Sequence, residues 1–242
     1  MYEYDSRFLS YGRSIATKSA QAVVPIVRDA LHPRSVLDLG CGRGAWLEAW
    51  KDAGVSEVLG VDGNYVDEAD LAIDRSEFSP RDLGRTVDLQ RRFDLVESLE
   101  VAEHLPESRA RGFVQDLCRH GDRVLFGAAP PGQGGEHHIN EQPYGYWRAL
   151  FDELGYEPFD FVRPHLTLRQ DVAPWYRYNT LLYVKREAIE ELPVSVRRTH
   201  LAKHMPIRDV SPLLYKARKR VVRRLPEWAT QALANLAKRM PR

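Results

Sequence analysis

The sequence predicts an α/β fold: a seven-stranded, mainly parallel β-sheet with helices on both faces. Short apolar runs rich in Val and Leu alternate with helical segments between residues 34 and 187, an order that joins parallel strands through crossover helices. The first run ends in a Gly-x-Gly-x-Gly turn that opens a helix, an arrangement that brings a ligand onto backbone amides. Acidic residues then recur at the ends of later strands, at Asp62, Asp82 and Glu100.

Taken in order, residues 13–31 read as a helix, with Pro25 as a kink or restart. "RSVLDLG" (34–40) is a buried strand, and 44–54 is a helix closed by Gly54. "EVLGVDG" (57–63) is the second strand. Residues 77–83 make a weak third strand, in which Pro80 argues for a short or edge-like element. The fourth strand covers 92–100, a helix with a glycine stop covers 107–121, and the fifth strand covers 123–131. After a Gly- and His-rich loop (132–143), an amphipathic helix starts at Tyr144, stops at Gly155 and enters a strand by residue 159. Its face of Tyr146, Leu150 and Leu154 reads as core. "DVAPWYRYN" (171–179) reads as a loop, and 179–187 as the last strand. Residues 211–240 carry Leu214, Ala217, Val221, Val222 and Leu225 at helical spacing, with Pro226 as a break. The chain thus divides into an N-terminal helical segment (1–33), a main domain (34–187) and a basic, mostly helical C-terminal extension (188–242).

A length of 242 residues, 43% hydrophobic and 29% charged, suits one sizeable core or a domain with an appendage. No apolar run approaches the roughly 20 residues that span a bilayer, and "MYEYDSRFLSYGRS" has no signal-peptide apolar region. Cys41 and Cys118 have no zinc or redox spacing, so a reduced, cytoplasmic setting is expected. The net charge of +1 conceals an asymmetry. From Arg197 to Arg242 there are 13 Lys/Arg against 2 Asp/Glu, whereas the preceding residues carry 22 against 32.

The turn in "VLDLGCGRGAW" (36–46) lacks the Lys-Ser/Thr of a phosphate-binding P-loop. Asp38 stands two residues before its first glycine, Gly40. A carboxylate there repels a pyrophosphate and attracts an ammonium group. Gly42 and Gly44 continue the turn. Asp62, followed by Gly63 at the end of the second strand, suits ribose hydroxyls. Asp82 can accept from an exocyclic amine and Leu83 can pack on a purine, with Asp74 and Asp88 as the competing acids. Amine, ribose and adenine in that order describe S-adenosylmethionine (SAM).

These stretches, with "FDLVESLEVAEHLP" (93–106), resemble the motifs of the class I SAM-dependent methyltransferases, and the resemblance covers residues 34–185. It implies a Rossmann-like fold, with SAM held by Asp38, Gly40, Gly42, Gly44, Asp62, Gly63, Asp82, Leu83 and Glu100. Glu100, Glu103 and His104 then form the crux. In one reading Glu100 steadies the methionine end of SAM, Glu103 caps a helix and His104 packs beneath the methyl donor. In the other, all three are ligands. A strand end and a helical turn can aim i, i+3 and i+4 the same way, and two carboxylates beside an imidazole call for a cation. Mg²⁺ or Mn²⁺ suits that set. The pattern "ExxEH … H" resembles two metal-using branches, the small-RNA 3′-terminal 2′-O-methyltransferases and the O-methyltransferases of ubiquinone biosynthesis. That resemblance makes His138 the fourth ligand and His137 its neighbour toward the acceptor. The "FEW" signature of the RNA branch is missing here.

The expectation is therefore a SAM-dependent O-methyltransferase, divalent-metal-assisted, acting on a hydroxyl of a sugar, glycan or related polyhydroxylated small molecule. His104, His137 and His138 are the candidate bases. An RNA 2′-O-methyltransferase and a non-catalytic SAM-binding partner protein are the alternatives. Asn140, Glu141 and Gln142 are read either as acceptor contacts or as a structured turn closed by Pro143. Trp175, Tyr176 and Tyr178 with Arg177 are candidates for an acceptor wall. The basic tail suits an anionic membrane surface, which would place the enzyme peripherally, nucleic acid, or a neighbouring subunit of a homo-oligomer.

Overall fold

A computed structural model of the chain describes residues 6–226, 229, 230 and 232. Helix α1 (Ser6–Leu31) passes through Pro25 as one continuous helix rather than restarting there. Its buried Val23, Val24 and Val27 belong to the main core, so packing offsets the one lost hydrogen bond. The chain continues through β1 (Ser35–Leu39), α2 (Ala45–Asp52), β2 (Glu57–Asp62), β3 (Phe78–Pro80), β4 (Leu95–Leu99), α3 (Glu107–His120) and β5 (Arg123–Gly127). There follow α4 (Tyr144–Glu153), β6 (Tyr156–Phe159), α5 (Arg163–Leu166), α6 (Pro174–Asn179), β7 (Leu181–Lys185), α7 (Val194–Arg197) and α8 (Leu213–Val222).

The strands form one seven-stranded sheet in the order β3-β2-β1-β4-β5-β7-β6. β7 runs antiparallel to both of its neighbours, and the other pairs are parallel. Side chains alternate across this sheet: Val36 and Leu95 join the core under α1 and α2, while Leu37, Leu39 and Val96 join the core under α3 and α4. Coverage of both faces explains why the strands read as near-continuous apolar runs. The strand order reverses between β1 and β4, which opens a crevice at their carboxyl ends.

Three expectations need correction. The third strand is confined to Phe78–Pro80, because Pro80 has no N–H to extend the ladder. "DVAPWYRYN" is largely helical: Pro174 opens α6, where its fixed φ suits the first turn. The tail helix α8 spans only Leu213–Val222, and its buried side chains are Lys219 and Val222. Leu214 and Val221, on the expected helical stripe, are 86% and 61% exposed. Lys219 takes the inward place because Asp209 neutralises it at 2.6 Å. Apart from residues 229, 230 and 232, the part of the predicted tail helix beyond Pro226 lies outside the described residues. Within the extension, Ala188, Leu192 and Val196 are buried in the core shared with α1. No helix among the described residues is long and apolar enough to cross a membrane.

Candidate active site

The glycine turn stands at the crevice. Gly40, Gly42 and Gly44 all have positive φ, at 99°, 52° and 82°, conformations that glycine adopts without strain. A Cβ at Gly40 would overlap the Val101 side chain, whereas one at Gly42 would meet open space. That open side of the turn, at the N-terminus of α2, is where backbone amides can meet a ligand. Asp62 fixes the turn: its carboxylate accepts from the amides of Gly42 (2.6 Å) and Gly63 (2.7 Å) and from the Tyr65 hydroxyl.

Asp38 lies on β1, directly across from Glu97 on β4. Burial, then the charges of Glu97 and Asp62, hold the Asp38 carboxyl well above the usual carboxylate range. Glu97 is fully buried and pushed up to about 8 by that burial. Trp50 Nε1 donates to one of its oxygens at 3.0 Å, and the other has no hydrogen-bond partner among the described residues. Burial likewise raises Asp62, against the pull of Tyr65 and the two amides. Three buried carboxyls around one turn repel one another, and a cationic ligand relieves that repulsion. The sulfonium and ammonium groups of SAM fit such a setting. Asp82 lies beyond β3, where its side chain accepts from Gly84 N at 2.9 Å and faces Arg85 at 3.5 Å. Leu83 is buried in the core on the α3 side.

The acidic cluster follows β4. Glu100 adopts a left-handed φ of 60°, and its amide donates to Gly127 O at 2.8 Å. A non-glycine residue in that region is strained, and such strain is retained where the surroundings over-determine it. Here they do. Gln133 Nε2 donates to one Glu100 oxygen, and Asn179 Nδ2 to the other at 3.0 Å. Asn179 in turn accepts from the Tyr144 hydroxyl at 2.9 Å. Glu103, in the helical turn that follows, is fully buried, and neither of its oxygens has a hydrogen-bond partner among the described residues. Burial, followed by the charge of Glu100, drives its carboxyl well above the ordinary range.

The loop 132–143 closes over this cluster. Ile139 N and Asn140 N both donate to the backbone carbonyl of Glu103 at 3.0 Å. Glu141 accepts from Gly132 N and Gly134 N, both at 2.6 Å, and lies 3.0 Å from His138 Nδ1. Asn140 and Glu141 therefore hold the loop itself, as in the structured-turn reading. His104 Nδ1 lies 3.2 Å from His137 O, and the His104 and His138 rings meet edge to face at 4.9 Å. Burial, with His138 next, keeps His104 well below the usual imidazole value, hence neutral. Ligand atoms of Glu103, His104 and His138 all lie within 4.8 Å of one another. Their chemistry fits a divalent ion: one unpartnered carboxylate and two imidazoles, each ring held through its Nδ1 by an oxygen. Of the four anticipated ligands, Glu100 lies beside Glu103, but its oxygens are engaged by Gln133 and Asn179.

Glu97, Tyr65, Gln133 and Asn179 were not singled out in the sequence, and Tyr144 was noted only as an aromatic at the start of a helix. Glu97 had a signal, a carboxylate within the apolar run "LVESL"; Asn179 had none, because its role depends on a long-range turn of the chain. Tyr176 does face the site. Its ring packs edge-on to Trp46 at 5.0 Å, and its hydroxyl is raised by burial and then by Glu100, with Asp38 adding to the effect. Arg177 folds back onto Val172 O at 2.6 Å.

Residues 11–125 match the sequence model of a family described as a methyltransferase domain. No curated protein matches the chain. Among solved structures, the sugar N-methyltransferase KedS8 from a Streptoalloteichus species is 17% identical, with a TM-score of 0.60 over 77% of this chain and 94% of that one. An O-methyltransferase family protein from Burkholderia thailandensis gives 12% identity and a TM-score of 0.55, over 74% of this chain and 58% of that one. Human N-acetylserotonin methyltransferase, solved in complex with SAM, gives 14% and 0.54 over 74% and 55%. Residues 11–125 thus resemble a methyltransferase domain in sequence, and the chain has the Rossmann-like fold found in SAM-dependent methyltransferases.

Proposed function

We propose that the protein is a SAM-dependent O-methyltransferase acting on a hydroxyl of a sugar, glycan or related polyhydroxylated small molecule, assisted by a divalent cation. The observation that carries this reading is Glu103: a fully buried carboxyl without a hydrogen-bond partner among the described residues, set against His104 and His138 at the mouth of the SAM crevice. A group used only for SAM has no need of two imidazoles beside a buried acid.

Bound SAM supplies a methyl group already activated by its sulfonium. Asp38 holds the amine end, the Gly40–Gly44 amides line the cofactor, and Asp62 takes the ribose hydroxyls. Glu103, His104 and His138 would hold the cation, which lowers the pKa of a bound hydroxyl. Two imidazoles favour Mn²⁺ over Mg²⁺ in this set. Glu141 and the His137 carbonyl orient the two ligand rings through Nδ1. A ring nitrogen of His137, on the same loop, takes the acceptor proton. Glu100, clamped by Gln133 and Asn179, forms the wall between cofactor and cation.

The test is transfer from labelled SAM to a panel of glycans, amino sugars and RNA 3′ ends, with EDTA and with Mn²⁺ restored. Chelator-sensitive labelling of a hydroxyl sugar is the expected result. Undiminished transfer in EDTA would remove the cation from the reading, and labelling of amines or RNA alone would remove the acceptor class.

A further inference from the structure

We propose that α8 seats the protein on an anionic lipid surface. The proposal is independent of the acceptor and of the cation. The inner face of α8 is occupied by protein. Tyr215 packs against Tyr178 with ring centroids 5.6 Å apart, Lys219 pairs with Asp209 at 2.6 Å, and Val222 is 7% exposed. On the other side, Leu213, Leu214 and Val221 are 83%, 86% and 61% exposed, with Ala217 exposed among them. At 3.6 residues per turn these four fall in one arc of about 100°, centred opposite the docked face. Lys216 and Arg220 border that arc on one edge and Arg218 on the other, and residues 211–226 contain no acid.

An apolar strip edged with arginines, on a helix lying flat against its own protein, is the pattern of an interfacial helix. Nucleic acid would engage the cations and leave two leucines in water. A second copy in an isologous contact would set arginine against arginine. Anionic lipid satisfies both the strip and its borders. The surface would also lie close to the chemistry. Arg218 Nη1 donates to Gln133 O at 2.8 Å, and the Gln133 side chain donates to Glu100. The helix is about 10 Å across, so a lipid plane on its outer side lies one helix diameter from the site loop.

The test uses the full chain and two vesicle preparations, phosphatidylcholine alone and phosphatidylcholine in which about a third of the lipid is phosphatidylglycerol. Co-sedimentation with the anionic vesicles only, weakening with added salt, is expected. Leu213→Ser/Leu214→Ser should lower the partition coefficient about tenfold, and Arg220→Ala about fivefold. Both variants lie on the outer face and should keep the wild-type melting temperature and SAM affinity. Four results would overturn the proposal. These are equal binding to neutral vesicles, no binding to either, binding indifferent to the leucine pair, and tighter binding to an RNA oligonucleotide that ignores the leucines. A dimer dissolved by the leucine variant, without vesicle binding, would assign the strip to self-association instead.

Discussion

Glu97 gives the sharpest prediction. It is fully buried on β4, faces Asp38 across the strand pair, and holds its proton up to about pH 8 instead of the ordinary 4.5. The sign follows from linkage. Above the ordinary value the unfolded chain has released this proton while the folded chain keeps it, so stability falls as pH rises. The slope is about 1.4 kcal/mol per pH unit, and it ends as the folded group itself ionises near 8. By pH 7 the accumulated loss is roughly 3 kcal/mol, equivalent to about 6–12 °C in melting temperature for a chain of this size. Asp38, Asp62, Glu100 and Glu103 are raised as well, so their contributions share the sign. Glu97→Gln keeps an oxygen for Trp50 Nε1 and removes the titration. Thermal melts of ligand-free protein from about pH 5 to pH 8 should show the wild type weakening more steeply than the variant, which keeps only the contributions of Asp38, Asp62, Glu100 and Glu103. The variant should be the more stable of the two at neutral pH. A wild-type melting temperature that climbs over this window, or two parallel profiles, would refute the reasoning.

His138→Ala removes an imidazole from the cluster while leaving the glycine turn untouched. Methyl transfer should drop by about 10²-fold or more, with SAM affinity by calorimetry unchanged; a comparable fall in SAM affinity would place His138 in the cofactor site. Asn179→Asp replaces a donor to Glu100 with a third carboxylate. It should cost about 1–3 kcal/mol in denaturant unfolding, and the loss should shrink in acid as the pair protonates. Gly132→Ala puts a methyl group onto the Lys219 carbonyl at a φ of +87°. About 2 kcal/mol or more should be lost, and trypsin should cut within α8 sooner than in the wild type.

Much of the fold was legible because the sheet is buried on both faces. "RSVLDLG", "EVLGVDG" and "RVLFGAAPP" could be little other than central strands, and the roles of Asp38 and Asp62 in the first two followed from the turn chemistry of "GCGRG". The tail was legible as a helix but not in its length, and periodicity does not tell which side of a helix is covered. Leu214 and Val221 satisfy a helical stripe, yet a neutralised lysine docks in their stead. The loop "GQGGEHHINEQP" was recognised as chemical, but its division of labour was not. Gly135 leaves room for the His138 ring, while Glu141 is spent on Gly132, Gly134 and His138. Those assignments depend on distances across the chain that no local pattern encodes.

Gly132 has one more implication. A side chain there would collide with the backbone of the terminal helix, and Gly134 leaves little room beside Val222. Loop and tail are therefore free to diverge only in concert. Among relatives, a bulkier residue at either glycine should accompany a displaced or missing last helix, and chimeras that exchange one partner without the other should fail to assemble the histidine loop.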